Sequence, residues 1–372
     1  MSMHHQFVQE NPSSVFLAAA VLALGSLTGC HHRCEVLPVS ITVDTNGNDF
    51  LEPGQPGSVE PSLNYKNVAS GNEGCPISDP CPAVASMSRM ISDFTGPLGG
   101  QYTVLDQTAS YSIPIGDTRS CVSTGDCYSV LVTAPVGRPV LHWDTMLTEG
   151  ALEPETPATN WVFPLNASAL APACSITSYG AQWTLHVGHS FSDVDAASGF
   201  YPFIEKLLHN GITSGCGSGA YCPAAGILRE QMSVFLLKSN HEAGFAPPAC
   251  IGVFQDVPCP GPFADWIEEV VNEGIIDPCG SQEFCPATVV TRRDMAAWLI
   301  KAELGRAYVP PPATGIFADV PVTDPSAPWI EFLYRTDITA GCGTQPLRYC
   351  PDDPNTRAQM AVFLGRTFHF TF

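Results

Sequence analysis

Apolar and polar positions follow two different rules along this chain. Between Val39 and Val187, short runs alternate apolar with polar residues, as in Val39-Ser-Ile-Thr-Val43, Gln101-Tyr-Thr-Val-Leu105, Tyr128-Ser-Val-Leu-Val132 and Gln182-Trp-Thr-Leu-His-Val187. Pro, Gly and Asn clusters separate them. A period of two bounded by turn residues predicts half-buried strands, enough of them for two packed sheets. A stretch around Met87 to Ile91 has a trace of helical spacing and reads equally as a strand. After Ser190 the spacing becomes helical, with Ile204, Leu207 and Leu208 on one face and later Met232, Phe235 and Leu236 on another.

The helical part repeats. Phe-x-Asp-Val begins at Phe191, Phe254 and Phe317, 63 residues apart each time, with Asp193, Asp256 and Asp319 following. In the same register come Phe203, Trp266 and Trp329, each before Ile-Glu. Then follow Ile212, Ile275 and Ile338, and Tyr221-Cys-Pro, Phe284-Cys-Pro and Tyr349-Cys-Pro. The third loop is two residues longer, after which Arg229, Arg292 and Arg357 each stand three residues before Met232, Met295 and Met360. Each unit reads as helix, loop, helix. Two short helices cannot bury their own apolar stripes, so the units must share a core.

These motifs resemble the S-layer homology family, with TRRDM at Thr291 to Met295 and TRAQM at Thr356 to Met360 as the clearest copies of its second-helix start. The resemblance spans Phe191 to the C-terminus. It implies three repeats forming a helical domain that docks onto cell-envelope polysaccharide in grooves between repeats. It places ligand contacts on Asp193, Asp256, Asp319, Trp266, Trp329, Gly211, Gly274, Arg229, Arg292 and Arg357. Phe203, Leu228 and Asp337 depart from the family's Trp, Thr and Gly. A guanidinium at a helix start offers a planar fork to an acidic sugar. The competing reading has Asp and Arg bracing the helices, with the Trp residues as core fillers.

The N-terminus points to export. Val15 to Leu27 is an apolar run of 13 residues, too short for a bilayer, which takes about 20, and suited to a signal peptide. It ends in Leu27-Thr-Gly-Cys30, which resembles a bacterial lipobox and would make Cys30 the lipidated mature N-terminus. The n-region carries Glu10 and no Lys or Arg, so plain secretion or a short uncleaved anchor are the alternatives. The 15 cysteines are odd in number, and setting Cys30 aside leaves an even set for disulfides. Spacing suggests Cys75 with Cys81, Cys121 with Cys127, Cys216 with Cys222, Cys250 with Cys259, Cys279 with Cys285, Cys342 with Cys350, and Cys34 with Cys174. Zinc fits these cysteines poorly, because each loop supplies two ligands with no second pair at finger spacing.

Asp44, Asn46, Asn48, Glu52 and Gln55 set oxygen side chains at calcium-loop-like spacing. An Asn-Gly turn explains the same residues without an ion, and calcium is the only cofactor the sequence offers. His142-Trp143-Asp144 is explained by burial of Trp143. No nucleophile elbow, phosphate loop or HExxH helix is present, so the chain reads as a non-enzyme. The formal net charge is −20, with 11 basic against 20 acidic residues from Ser190 onward. That argues against nucleic acid and requires local cations to hold an acidic glycan.

The expected order is a lipoprotein-type signal peptide over 1-29, an immunoglobulin-like β-sandwich over 30-189, and S-layer-homology-like repeats over 190-249, 250-312 and 313-372. The helical domain is expected to be all-α. The functional expectation is an exported, lipid-anchored envelope protein that holds cell-wall polysaccharide. The alternative is a structural or adhesive surface protein whose sandwich binds a partner, with or without calcium, the repeats serving as a disulfide-braced scaffold. An envelope enzyme acting on glycans is the third class.

Overall fold

A computed structural model describes residues 31–44, 49–70, 81–133, 143–151 and 176–370 of the 372. The signal-peptide and lipidation expectations, including Cys30, lie outside them, as do Asn46, Asn48, His142, Cys75 and Cys174.

The N-terminal region is β-sheet-rich. Its strands are β1 (His31–Asp44), β2 (Pro56–Ser70), β3 (Val84–Thr95), β4 (Gln101–Asp106), β5 (Thr108–Pro114), β6 (Thr118–Ser120), β7 (Tyr128–Thr133), β8 (Trp143–Ala151), β9 (Ile176–Ser178) and β10 (Ala181–Val187). One sheet runs β4-β7-β2-β1-β9, with β6 also on β2, and the other runs β10-β8-β3-β5. Pairing is antiparallel except where β9 joins β1, Cys34 opposite Ile176. The trace of helical spacing around Met87 to Ile91 resolves as β3, in which Ala85, Met87, Arg89 and Ile91 point inward and Ser86 and Ser88 outward. Inward residues of both sheets, among them Val59, Leu63, Ile91, Val130 and Leu147, form one core.

One ion pair sits inside that core. Arg89 and Glu149 are fully buried and 3.0 Å apart, and Glu149 also accepts from Tyr128 Oη at 2.9 Å and Trp183 Nε1 at 3.1 Å. Arg89 donates to Tyr179 O at 2.6 Å, which ties β9's exit to β3. Trp143 is buried, as expected from its strand.

The disulfide framework corrects two expected pairs. Cys34 bonds Cys81, with Cα atoms 5.7 Å apart across 47 residues of sequence. Cys34 lies on β1 of one sheet and Cys81 at the entrance to β3 of the other, so the bond crosses the core rather than closing a small loop. The pairs Cys121–Cys127, Cys216–Cys222, Cys250–Cys259, Cys279–Cys285 and Cys342–Cys350 form as spacing suggested.

Six helices follow among the described residues: α1 (Tyr201–His209), α2 (Arg229–Asn240), α3 (Ala264–Asn272), α4 (Arg292–Leu304), α5 (Ala327–Arg335) and α6 (Arg357–Thr367). They bury their apolar faces in one shared core. None is long and apolar enough to cross a membrane. The region is not all-α: β11 (Gly343–Thr344) pairs with β12 (Leu347–Arg348), a hairpin that absorbs the two extra residues of the third loop.

The three helix pairs close into a ring. Ile227 N donates to Asn355 O at 3.0 Å, Asn355 N to Val290 O at 2.9 Å, and Val290 N to Ile227 O at 2.8 Å. Each donor precedes the second helix of its own unit, so each unit caps the next around a common axis. Thr291 and Thr356 cap α4 and α6 by accepting from Asp294 N and Gln359 N. Leu228 at the same place on α2 has no oxygen to offer, and only its own N–H is met, by Gln231 Oε1 at 3.3 Å.

The β region meets the first helical unit directly. Phe50 belongs to the helical core, Tyr201 Oη donates to Glu52 Oε1 at 2.7 Å, and His209 reaches Asp144 at 3.0 Å.

Candidate functional site

Asp193, Asp256 and Asp319 are occupied by backbone. Each carboxylate takes two N–H groups of its own aromatic-Cys step: Tyr221 at 2.7 Å and Cys222 at 2.8 Å, Phe284 at 2.9 Å and Cys285 at 2.6 Å, Tyr349 and Cys350 both at 2.8 Å. Those cysteines have φ near +57°, at 58°, 58° and 56°, so the acid holds a turn that an L-residue would otherwise avoid. The bracing reading is the one the geometry favours, although the amides belong to the cysteine loop and not to a helix start. Hydrogen bonds from Tyr349 and Cys350 hold Asp319 below the ordinary carboxylate value against the opposing effect of burial.

The three arginines take up the bracing alternative to ligand contact. Arg229, Arg292 and Arg357 are only 8%, 5% and 4% exposed. Arg229 Nε donates to Phe284 O, Arg292 Nε to Tyr349 O and Arg357 Nε to Tyr221 O, each at 2.8 Å. Every arginine therefore reaches the cysteine loop of the next unit, and the third returns to the first. Each guanidinium also lies over that loop's aromatic ring, at 4.7, 4.6 and 4.7 Å. Burial pulls Arg229 and Arg357 below the ordinary guanidinium value. They lock the ring and face away from solvent.

Gly211 and Gly274 end α1 and α3 in the left-handed region, at φ of +71° and +72°, and Asp337 does the same after α5 at +58°. Their role there is backbone geometry.

What remains accessible is a seam between units. Second helices pack on the first helix of the next unit, α2 on α3, α4 on α5 and α6 on α1. Trp266 on α3 and Trp329 on α5 are half-buried along two seams, with Phe203 on α1 along the third. Lys238 on α2 sits over Trp266 with Nζ 5.9 Å from the ring, and Arg366 on α6 sits over Phe203 at the same 5.9 Å. Lys301 holds the equivalent place on α4 and meets Asp277 Oδ2 at 3.1 Å. Lys238 donates to Gly211 O at 3.0 Å, and burial lowers its pKa. The sequence reading missed this series of cations, although 238, 301 and 366 stand in the same register as the three arginines, 63 and then 65 apart.

The calcium-loop expectation has partial coverage. Glu52 is buried and its Oε1 accepts from Tyr201, so this carboxylate faces the helical domain and not a loop-bound ion. Gln55 is exposed, its N–H bonded to Glu52 O at 3.0 Å. For zinc, the cysteines of the helical loops are in disulfides and supply no thiolate.

With this geometry in place, the comparisons fall on the first helical unit. Residues 190–233 match the S-layer homology domain. The match covers Asp193, Phe203, Gly211 and Arg229, and so the brace, the seam and the ring contact of one repeat. The chain matches no curated protein. Among solved structures, native alpha-2-macroglobulin from Escherichia coli, spanning domain MG7 to the C-terminus, is similar at 11% identity with a TM-score of 0.23, over 86% of this chain and 44% of that one. This chain thus spans under half the length of that structure, and a likeness of that size assigns neither fold nor function.

Proposed function

We propose that this is a non-catalytic cell-envelope protein that holds cell-wall or envelope polysaccharide at the seams between its helical units. Residues 190-249, 250-312 and 313-372 act as three S-layer-homology repeats, and 30-189 forms an immunoglobulin-like sandwich carried by them. Two sheets with almost wholly antiparallel pairing around one core support the second assignment. Leu27-Thr-Gly-Cys30 supports lipid attachment at Cys30 and export to the envelope.

The observation that carries the proposal is the α2/α3 seam. There a half-buried ammonium stands over an indole, and the next unit carries the same residue types in register, Lys301 and Trp329, with Lys301 paired to Asp277. An aromatic face stacks on a pyranose ring, while a desolvated cation pairs with a carboxylate or ketal acid on the sugar. The seam cations support this reading in a chain that is acidic overall, since Lys238, Lys301 and Arg366 stand one to a seam. Lys238, Trp266, Lys301 and Trp329 replace the arginines as the contacts.

Co-sedimentation of the purified protein with cell-wall sacculi tests it. Retention is expected, reduced at least tenfold in Lys238→Ala/Trp266→Ala with the thermal melt preserved. Retention unchanged in that variant, or absent in the wild type, overturns the proposal.

A further inference from the structure

Where the β region meets the first helical unit, three metal-ligating atoms converge from three elements. Asp144 Oδ1 on β8 receives His186 Nδ1 from β10 at 2.7 Å and His209 Nδ1 from the end of α1 at 3.0 Å. The three atoms lie within 4.8 Å of one another. The other groupings of this kind join a carboxylate to Cys250 and Cys259, Cys279 and Cys285, or Cys342 and Cys350. Their sulfurs are in disulfides, which leaves this one chemically competent.

We infer that Asp144, His186 and His209 form a binding site for a divalent first-row transition ion such as zinc, which pins the β region to the first helical unit. Two imidazoles and one carboxylate are the borderline nitrogen and oxygen donors such ions take. A tetrahedral ion with ligands at about 2.0–2.2 Å sets its ligand atoms about 3.3 Å apart, so the edges of 2.7 and 3.0 Å must open by about 0.6 and 0.3 Å to admit one. The rings stand edge to face, centroids 4.7 Å apart at 64°, which keeps them from stacking across the position an ion would take. The side chains of His186 and Asp144 are 21% and 27% exposed, giving an ion a way in and a water a fourth position. His209 is buried at 1%.

The surroundings match a ligand histidine. His209 Nε2 faces Glu205 Oε2 at 3.7 Å, and Glu205 is itself fixed by Ser190 N at 2.8 Å and Ser190 Oγ at 2.6 Å. A carboxylate behind the far nitrogen of a ligand imidazole sets its tautomer and raises its basicity. Asp144 and Glu205 together bring two negative charges to two imidazoles, the balance a dication neutralises.

The test is titration of the chelator-treated full chain with cobalt(II), read by visible d–d absorption, followed by displacement with zinc. One equivalent is expected, with the cobalt spectrum lost in His186→Ala and in His209→Ala. Glu205→Gln is expected to keep the spectrum but weaken affinity about 10–100-fold. Because His209 is buried, His186→Ala is the decisive variant, and its circular dichroism is expected to match the wild type. A wild type without the cobalt spectrum overturns the site, and so does a spectrum that persists in His186→Ala, where His31 and His32 remain.

Discussion

Truncating Arg292 to alanine separates a ring-locking role from a sugar-binding one. The side chain makes a charge-assisted hydrogen bond to Tyr349 O at 2.8 Å, a type that contributes about 1.5–3 kcal/mol. It also stacks over Tyr349 at 4.6 Å and Phe363 at 5.5 Å, each contact adding about 0.5–1 kcal/mol. Against this, Arg292 Nη2 is buried without a hydrogen-bond acceptor, a deficit of about 1 kcal/mol that the variant removes. The balance is a loss of about 1.5–4 kcal/mol. Arg229 supplies an internal control, because its Nη2 does have an acceptor, Asp277 O at 2.8 Å. Arg229→Ala is therefore expected to cost about 1 kcal/mol more than Arg292→Ala. Urea denaturation followed by circular dichroism of the full chain reads both values, and sacculus binding is then measured where each variant is still folded. Arg292→Ala with wild-type stability and no binding refutes the reasoning, because only an arginine turned toward the ligand behaves that way.

Three further outcomes follow from the same contacts. Peptide mapping without reduction is expected to recover Cys34 linked to Cys81, and replacing both with serine is expected to cost up to about 4 kcal/mol from the 47-residue separation; a Cys75–Cys81 peptide instead would refute the inter-sheet bond. Leu228→Thr gives α2 the cap that Thr291 and Thr356 give α4 and α6, with an expected gain of about 0.5–1 kcal/mol in the denaturation midpoint. Gly365→Ala places a Cβ 2.9 Å from the Phe203 ring, so an overpacking cost of about 1–3 kcal/mol opposes a helix-propensity gain of about 1; a higher melting temperature would show that α6 and α1 can part freely.

What could be read from the sequence was whatever repeats locally. The 63-residue register delivered three helix pairs, their loops and the place of the insertion, because each is defined by spacing within one unit. Alternation likewise marked segments on β1, β4, β7 and β10 and left the β3 stretch open between helix and strand. The arginines stand between two readings in the sequence because a guanidinium at a helix start has two directions open to it, and spacing within one unit does not choose between them. The choice is made by a carbonyl in the next unit, 55 to 57 residues away for Arg229 and Arg292 and 136 back for Arg357. The Cys34 partner was misjudged for a related reason. Nearness in sequence favoured small loops, whereas β1 and the start of β3 become neighbours only when the two sheets face each other. His186 and His209 lie 42 and 65 residues from Asp144, so no local spacing in the sequence links the three.

Closure also accounts for the separation of the bracing contacts from the contacts proposed for the sugar. In an open row of units the terminal arginine would have no following loop and would remain buried unpaired or turn to solvent. Here Arg357 returns to Tyr221, so each of the three arginines sets its Nε on a carbonyl of the neighbouring loop inside the ring. The recurrent cations that still reach a seam are then those near the ends of the second helices, where helix geometry favours positive charge. Lys238, Lys301 and Arg366 meet that condition, and the seams differ in how far each cation is already engaged. Lys238 has a carbonyl and an indole, Lys301 has the Asp277 carboxylate, and Arg366 donates to Ile338 O at 3.3 Å. A sugar acid must displace Asp277 at the second seam, whereas at the first it meets an ammonium with no anionic partner among the described contacts. The first seam is therefore the strongest of the three, and the one whose removal should cost the most binding.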